Sequence, residues 1–99
     1  MRTYIALSVW LDRVPEGHVS ANRSKQFTIL IRTTSQKRVA DLLGSTSLFS
    51  LRTFSGIRRA PDAVGFHKER KNVAGIVQKD HTVYYNHDNQ WFEYPPTQP

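Results

Sequence analysis

Four histidines, His18, His67, His81 and His87, and six basic residues crowded between Arg52 and Lys71 are the side chains here with the most capacity for chemistry. Imidazoles could serve acid–base catalysis or metal ligation. His81 and His87 stand beside Asp80 and Asp88 at the two ends of a β-prone run, with five residues between them. An extended strand at about 3.4 Å per residue holds such positions about 20 Å apart, too far to share one ion. Zinc asks for a tighter set of nitrogen or sulfur ligands. No serine, histidine and carboxylate spacing specifies a triad, and no GxxxxGK phosphate cradle occurs. Cysteine is absent, which removes thiolate nucleophiles and disulfides. A small hydrolase or nuclease would need a carboxylate or histidine cluster that these spacings do not supply. The expectation is a protein that is not an enzyme, with surface histidines, no metal and no cofactor.

The cations point elsewhere. The formal charge of +6 is unevenly spread: residues 1–51 carry net +4, residues 52–71 carry net +4, and residues 72–99 carry net −2. A basic segment beside an acidic end suits a polyanion or an acidic protein surface. A solvated loop whose charge serves solubility is the plainer alternative. The candidate contacts are Lys37, Arg38, Arg52, Arg58, Arg59, Lys68, Arg70 and Lys71. Their work would be phosphate neutralisation or pairing with acidic side chains.

Two of these cations lie in QKRVADLLG, residues 36–44. A helix-turn-helix needs apolar and small residues on its first helix and a glycine at the turn. Apolar anchors on the second helix then hold its polar side toward the major groove. Val39, Ala40, Leu43 and Gly44 meet the first half of that pattern, and residues 36–44 resemble the first half of a helix-turn-helix. The later anchor positions hold Ser50 and Thr53, with Leu51 and Phe54 one step beyond. Among the outward positions of a second helix only Arg52 is a strong base reader. A capped helical hairpin over a sheet is the expected shape.

The frame for these side chains follows from hydrophobic periodicity. RTYIALSVWLD alternates, with Ile5, Leu7, Val9 and Leu11 expected on the core face and Tyr4, Ala6, Ser8 and Trp10 on the other. RVPEGHVSANRSK is loop by composition. QFTILIRTT is a second strand, with Phe27, Ile29 and Ile31 inward and Thr28 and Arg32 outward. Thr34 or Ser35 can cap a helix whose stripe is Val39, Ala40, Leu42 and Leu43 and whose stop is Gly44. Ser47 could cap a second, with Leu48, Leu51 and Phe54 on one face and Gly56 at its end. Pro61 and Asp62 could open a third helix running to Lys71, against which Val64 and Gly65 count. HTVYYN and QWFEY, parted by HDN, read as a β-hairpin.

The predicted fold is a small single α+β domain, an antiparallel sheet with two or three short helices packed on one face. It spans residues 1–94, and residues 95–99 form a flexible proline-rich tail. No stretch approaches the about 20 apolar residues of a bilayer span. The N-terminus lacks the cleavage site of a signal peptide, so a cytoplasmic setting is expected, that of the host cell if the protein is viral. YYNHDNQW before Pro95 shares the tyrosine pair and tryptophan of a WW domain's tail. The first tryptophan and strand of that module are missing, and Tyr84, Trp91 and Tyr94 read as sheet aromatics.

The pattern over residues 27–54 and 82–92 resembles small single-domain accessory proteins of phages and mobile elements, from which no assigned chemistry carries over. That resemblance implies a viral accessory role, including interference with a host defence complex. Two functions follow. The first is a non-enzymatic basic protein acting on nucleic acid or on a complex that handles it. The second is a phage-type inhibitor, anti-CRISPR-like or anti-restriction-like, that binds an acidic surface of a host protein complex.

Overall fold

The computed structural model describes residues 1–19, 26–43, 56–65 and 67–95. Five strands form one antiparallel sheet in the order β3-β1-β2-β6-β7: β1 is Arg2–Trp10, β2 Gln26–Thr33, β3 Ile57–Arg59, β6 Val83–His87 and β7 Gln90–Tyr94. A two-stranded ribbon, β4 (Ala63–Val64) and β5 (Lys71–Asn72), lies between β3 and β6 in sequence. The helices are α1, Gln36–Leu43, and α2, Val73–Ile76. This is a small α+β domain, as the sequence suggests.

α1 begins where Ser35 can cap it. The Ser35 hydroxyl accepts from the Arg38 backbone N–H at 3.1 Å, satisfying a first-turn donor with no intrahelical partner. Val39, Ala40 and Leu43 are buried as the stripe requires. They meet Phe27, Ile29 and Ile31 from β2, Ile57 from β3, and Val83 and Tyr85 from β6. Gln36 Nε2 donates to the Ile57 carbonyl at 2.6 Å and ties the helix to the edge strand. The expected Gly44 stop and the expected helix from Ser47, with Leu48, Leu51, Arg52 and Phe54, lie outside the described residues.

β1 corrects the predicted faces. Tyr4 and Ala6 are buried beside α1, and so are Val9 and Leu11, whereas Leu7 is 60% exposed. The register explains this. Ala6 pairs with Ile29 and Val9 with Phe27, so β1 spends one more residue than β2 over that interval. Ser8 takes the left-handed conformation, φ 56°. One extra residue in a strand exchanges its two faces beyond the bulge. Strict alternation therefore fails at Ser8.

The third helix is also absent. Residues 61–71 instead turn back through β4, a 3-10 turn at His67–Glu69 and β5. Gly65 makes the turn. Its φ is +114°, and a Cβ there would meet the Glu69 carbonyl oxygen at 2.8 Å. A short helix follows instead, its N-cap Asn72 accepting from the Ala74 N–H at 3.0 Å.

Helical cover falls on both faces of the sheet, not one. Leu30 and Tyr84 point away from α1 and pack with Val73 and Val77, joined by Ile5, Ala60, Val64, Ile76 and Trp91. The cause is the double-sided apolar content of β2 and β6, where Leu30 lies between inward Ile29 and Ile31, and Tyr84 between Val83 and Tyr85. The final hairpin forms as expected. Asp88 and Asn89 turn it with φ 54° and 63°, the left-handed pair that matches strand twist in two-residue hairpins.

Candidate nucleic-acid interface

Beside the smaller core, the ribbon overhangs the sheet and leaves a cleft of about 400 Å³. Its floor is strand: Ile5 and Leu7 from β1, Thr28 from β2, Asn86 from β6 and Trp91 from β7. Its far wall is the ribbon, with Pro61, Val64, Gly65, Glu69, Arg70 and Lys71. Trp91 and Lys71 also line a neighbouring cavity of about 380 Å³ that runs toward Lys79 and Glu93.

The ribbon is held to its surroundings. The Val73 N–H donates to the Asp62 carbonyl at 2.9 Å and closes the base of the ribbon. Lys71 Nζ donates to the Asn89 carbonyl at 2.7 Å, and Asn89 Nδ2 donates to the Glu69 carboxylate. Arg70 Nη2 donates to the Ala63 carbonyl at 3.2 Å. One acceptor apiece leaves most of the donors on the guanidinium and ammonium available to another anion.

The expected contacts divide between two places. Arg70 and Lys71 line the cleft, and Lys68 is exposed on the turn between the ribbon strands. Arg58 and Arg59 are exposed on edge strand β3. Successive strand positions face opposite ways, so Arg58, opposite Ile5, lies on the cleft's side of the sheet and Arg59, opposite Tyr4, on the other. Arg59 joins Arg2 and Arg32 around a further cavity of about 270 Å³ that shares Pro61 with the cleft. Lys37 and Arg38 are exposed on α1, over the opposite face of the sheet. Arg52 lies outside the described residues.

Arg32 has a structural task. It donates to the Val77 carbonyl at 3.0 Å, the Gln78 carbonyl at 3.3 Å and the Asp80 carboxylate. Its hydrogen bond holds the Asp80 carboxyl below the usual range, against an opposing effect of burial.

Among the described side chains His81 stands apart from the pair His18 and His87. His81 Nδ1 bonds the hydroxyl of fully buried Thr33 at 2.8 Å. His87, at the end of β6, stacks on His18 with ring centroids 4.4 Å apart. His18 Nδ1 also meets the Tyr85 hydroxyl at 2.6 Å, and its ring lies 4.4 Å from that of Phe92. Burial, and then the neighbouring His87, lower the His18 pKa below its ordinary value. Burial raises the phenols of Tyr85 and Tyr94. Among the described residues no group of three or more histidines or carboxylates could hold a metal ion.

Sequence reasoning missed three cleft residues: Trp91, Asn86 and Asn89. Trp91 reads as a sheet aromatic, and it is one, but it is also a cleft wall. The asparagines gave one usable signal, an HDN stretch between two aromatic strands, which places Asn89 at a hairpin turn and Asn86 on the strand entering it.

No family model matches this chain, and no curated protein or solved structure matches it. Among the described residues no helix is long and apolar enough to cross a membrane.

Proposed function

We propose that this is a non-enzymatic binding protein that engages nucleic acid through phosphate contacts from its basic segment. The observation that carries the reading is the fixed ribbon. Arg70 and Lys71 stand on a ribbon closed by the Val73–Asp62 backbone bond, and the Lys71 ammonium is itself held by the Asn89 carbonyl, beside a cleft on the side of the sheet that Arg58 also faces. Charge that served solubility alone would need no such anchoring. Fixed cations lose less side-chain freedom when a phosphate arrives. Lys37 and Arg38, over the other face, belong at most to a second contact area.

A labelled duplex and a labelled single strand, titrated at rising salt, test this. Replacing Arg58 and Arg59 together by alanine should weaken binding about equally across sequences. The salt slope should fall by about 0.7–0.9 for each lost phosphate contact. Absence of binding to either form at low salt, where electrostatic attraction is strongest, overturns the proposal.

The second reading is an inhibitor that docks on an acidic surface of a host defence complex. Leu7, 60% exposed, and Trp10, 37% exposed, favour it, since both belong to the cleft's side of the sheet. Aromatic anchors beside arginines are frequent in protein interfaces. That reading expects a pull-down of an acidic protein that survives nuclease treatment and weakens little with salt.

A further inference from the structure

The cleft combines three chemistries that a duplex cannot use together. Trp91 offers an aromatic wall, Asn86 and Asn89 offer amides, and Arg70 and Lys71 offer cations. Among the described residues the Asn86 side chain has no hydrogen-bond partner, so its donor and its acceptor both remain for a ligand. Among the described residues Glu69 is the one carboxylate of the lining, and it already accepts from Asn89. Two cations against that one carboxylate leave the cleft positive.

Duplex bases are stacked on one another, and their edges are reached by an element that protrudes into a groove. Here Trp91 and Asn86 are half-buried between the ribbon and the sheet. A base enters such a recess only when it is free of its stack. The volume, about 400 Å³, lies in the lower part of the range of about 300–1,000 Å³ usual for small-molecule sites. Lys71 and Trp91 are shared with the neighbouring cavity, so the cleft continues along the surface beyond one base-sized space.

We infer that the cleft is a single-strand site that takes one unpaired nucleobase. The base packs on Trp91 and offers its hydrogen-bonding edge to Asn86, while Arg70 and Lys71 hold the adjoining phosphates. The inference rests on the nucleic-acid reading above and narrows it to one strand form. Aromatic stacking tolerates every base, and the single amide gives a modest preference among them.

The chain has two tryptophans, so Trp10→Phe leaves Trp91 as the sole indole reporter without altering the cleft. That protein is titrated with a single strand of about 12 nucleotides and with the blunt duplex of the same sequence. The single strand should quench Trp91 and bind at least about tenfold more tightly than the duplex, as one stacked base would give. Asn86→Ala should weaken single-strand binding and narrow any preference among bases, with duplex binding unchanged. Equal binding of the two forms without quenching overturns the base site and leaves phosphate binding standing. Binding of neither form at low salt overturns both, as does retention of an acidic protein with no polynucleotide.

Discussion

The two faces of the sheet are built from the same strands, yet only one of them is a continuous core. On the α1 face, β1, β2, β3, β6 and β7 all contribute, and Ile29, Ile31 and Tyr85 are completely sealed. On the ribbon face, four buried residues form a small cluster around Leu30 and Tyr84. The surface beyond it is left to the cleft and to exposed Leu7 and Trp10. Stability resides mainly in the first face, because apolar burial scales with area removed from water. The second face is thereby free to carry polar and charged groups at its cleft, and substitutions there can alter binding without unfolding the chain.

The largest test of that division is Leu43→Ala against Leu7→Ala. Leu43 is sealed beneath α1 at 1% exposure, and its truncation should cost about 2–5 kcal/mol. Leu7→Ala should stay within about 0.5 kcal/mol, as surface changes usually do. Urea midpoints measure both. Equal losses would show that the ribbon face carries as much of the core as the α1 face.

Gly65→Ala breaks the second face alone. The added methyl needs a rare backbone region and collides with the Glu69 carbonyl oxygen at 2.8 Å. Strain of this kind costs about 1–3 kcal/mol, and opening the ribbon relieves it. Hydrogen exchange should therefore lose protection at the Val73 amide, which bonds Asp62, while the amides of β2 keep theirs. Loss of protection in both places would mean that the ribbon and the sheet unfold as one unit.

Ser8 sharpens the comparison, since its bulge decides which β1 residues meet α1. Left-handed backbone costs a non-glycine residue about 1–2 kcal/mol. Ser8→Gly should therefore raise stability by about 1 kcal/mol, and Ser8→Val should lower it by a similar amount. Thermal midpoints moving in opposite directions are the expected result.

Ser8 also marks where legibility stops. Val9 and Leu11 were readable as core because they are aliphatic in a β-prone run, and Phe27, Ile29 and Ile31 because their alternation is unbroken. The partners Tyr4 and Ala6 were assigned to the wrong face because a bulge is a matter of register between strands, invisible in one of them. α1 was legible from a local cap and stripe. The 61–71 helix was not avoidable from local rules, since Pro61 and Asp62 imitate a helix start and only Val64 and Gly65 argue against it. At the Gly65 φ of +114° a Cβ would meet atoms of Glu69 and Arg70, four and five positions later. Six of the candidate cations were legible as a basic segment; of the described ones Arg70 and Lys71 line the cleft, Arg58 faces its side of the sheet, Lys68 lies on the ribbon turn and Arg59 faces the other side. Trp91 and Asn86 were not, because the cleft arises from a ribbon folded over strands distant in sequence.

The smallest expected effect is a pH dependence confined to the α1 face. His18 leans from the loop after β1 onto the Tyr85 hydroxyl and the His87 ring of β6 and onto Phe92 of β7, with Glu16 in its own turn. Burial and then His87 place its folded-state pKa below the ordinary 6.5. The unfolded chain therefore binds the proton first as pH falls. Stability is full above that ordinary value and declines as pH drops through it toward the lower folded value. Urea midpoints taken between about pH 8 and pH 5.5 should fall, and the shift should be smaller than that of Leu43→Ala. His18→Gln removes the titration and retains a polar partner for Tyr85, so its curve should be flatter. His87→Gln relieves the repulsion alone and should lie between the two. If His18→Gln retains the full wild-type slope, the decline belongs to another group, and the stacked pair has no part in the acid sensitivity of this face.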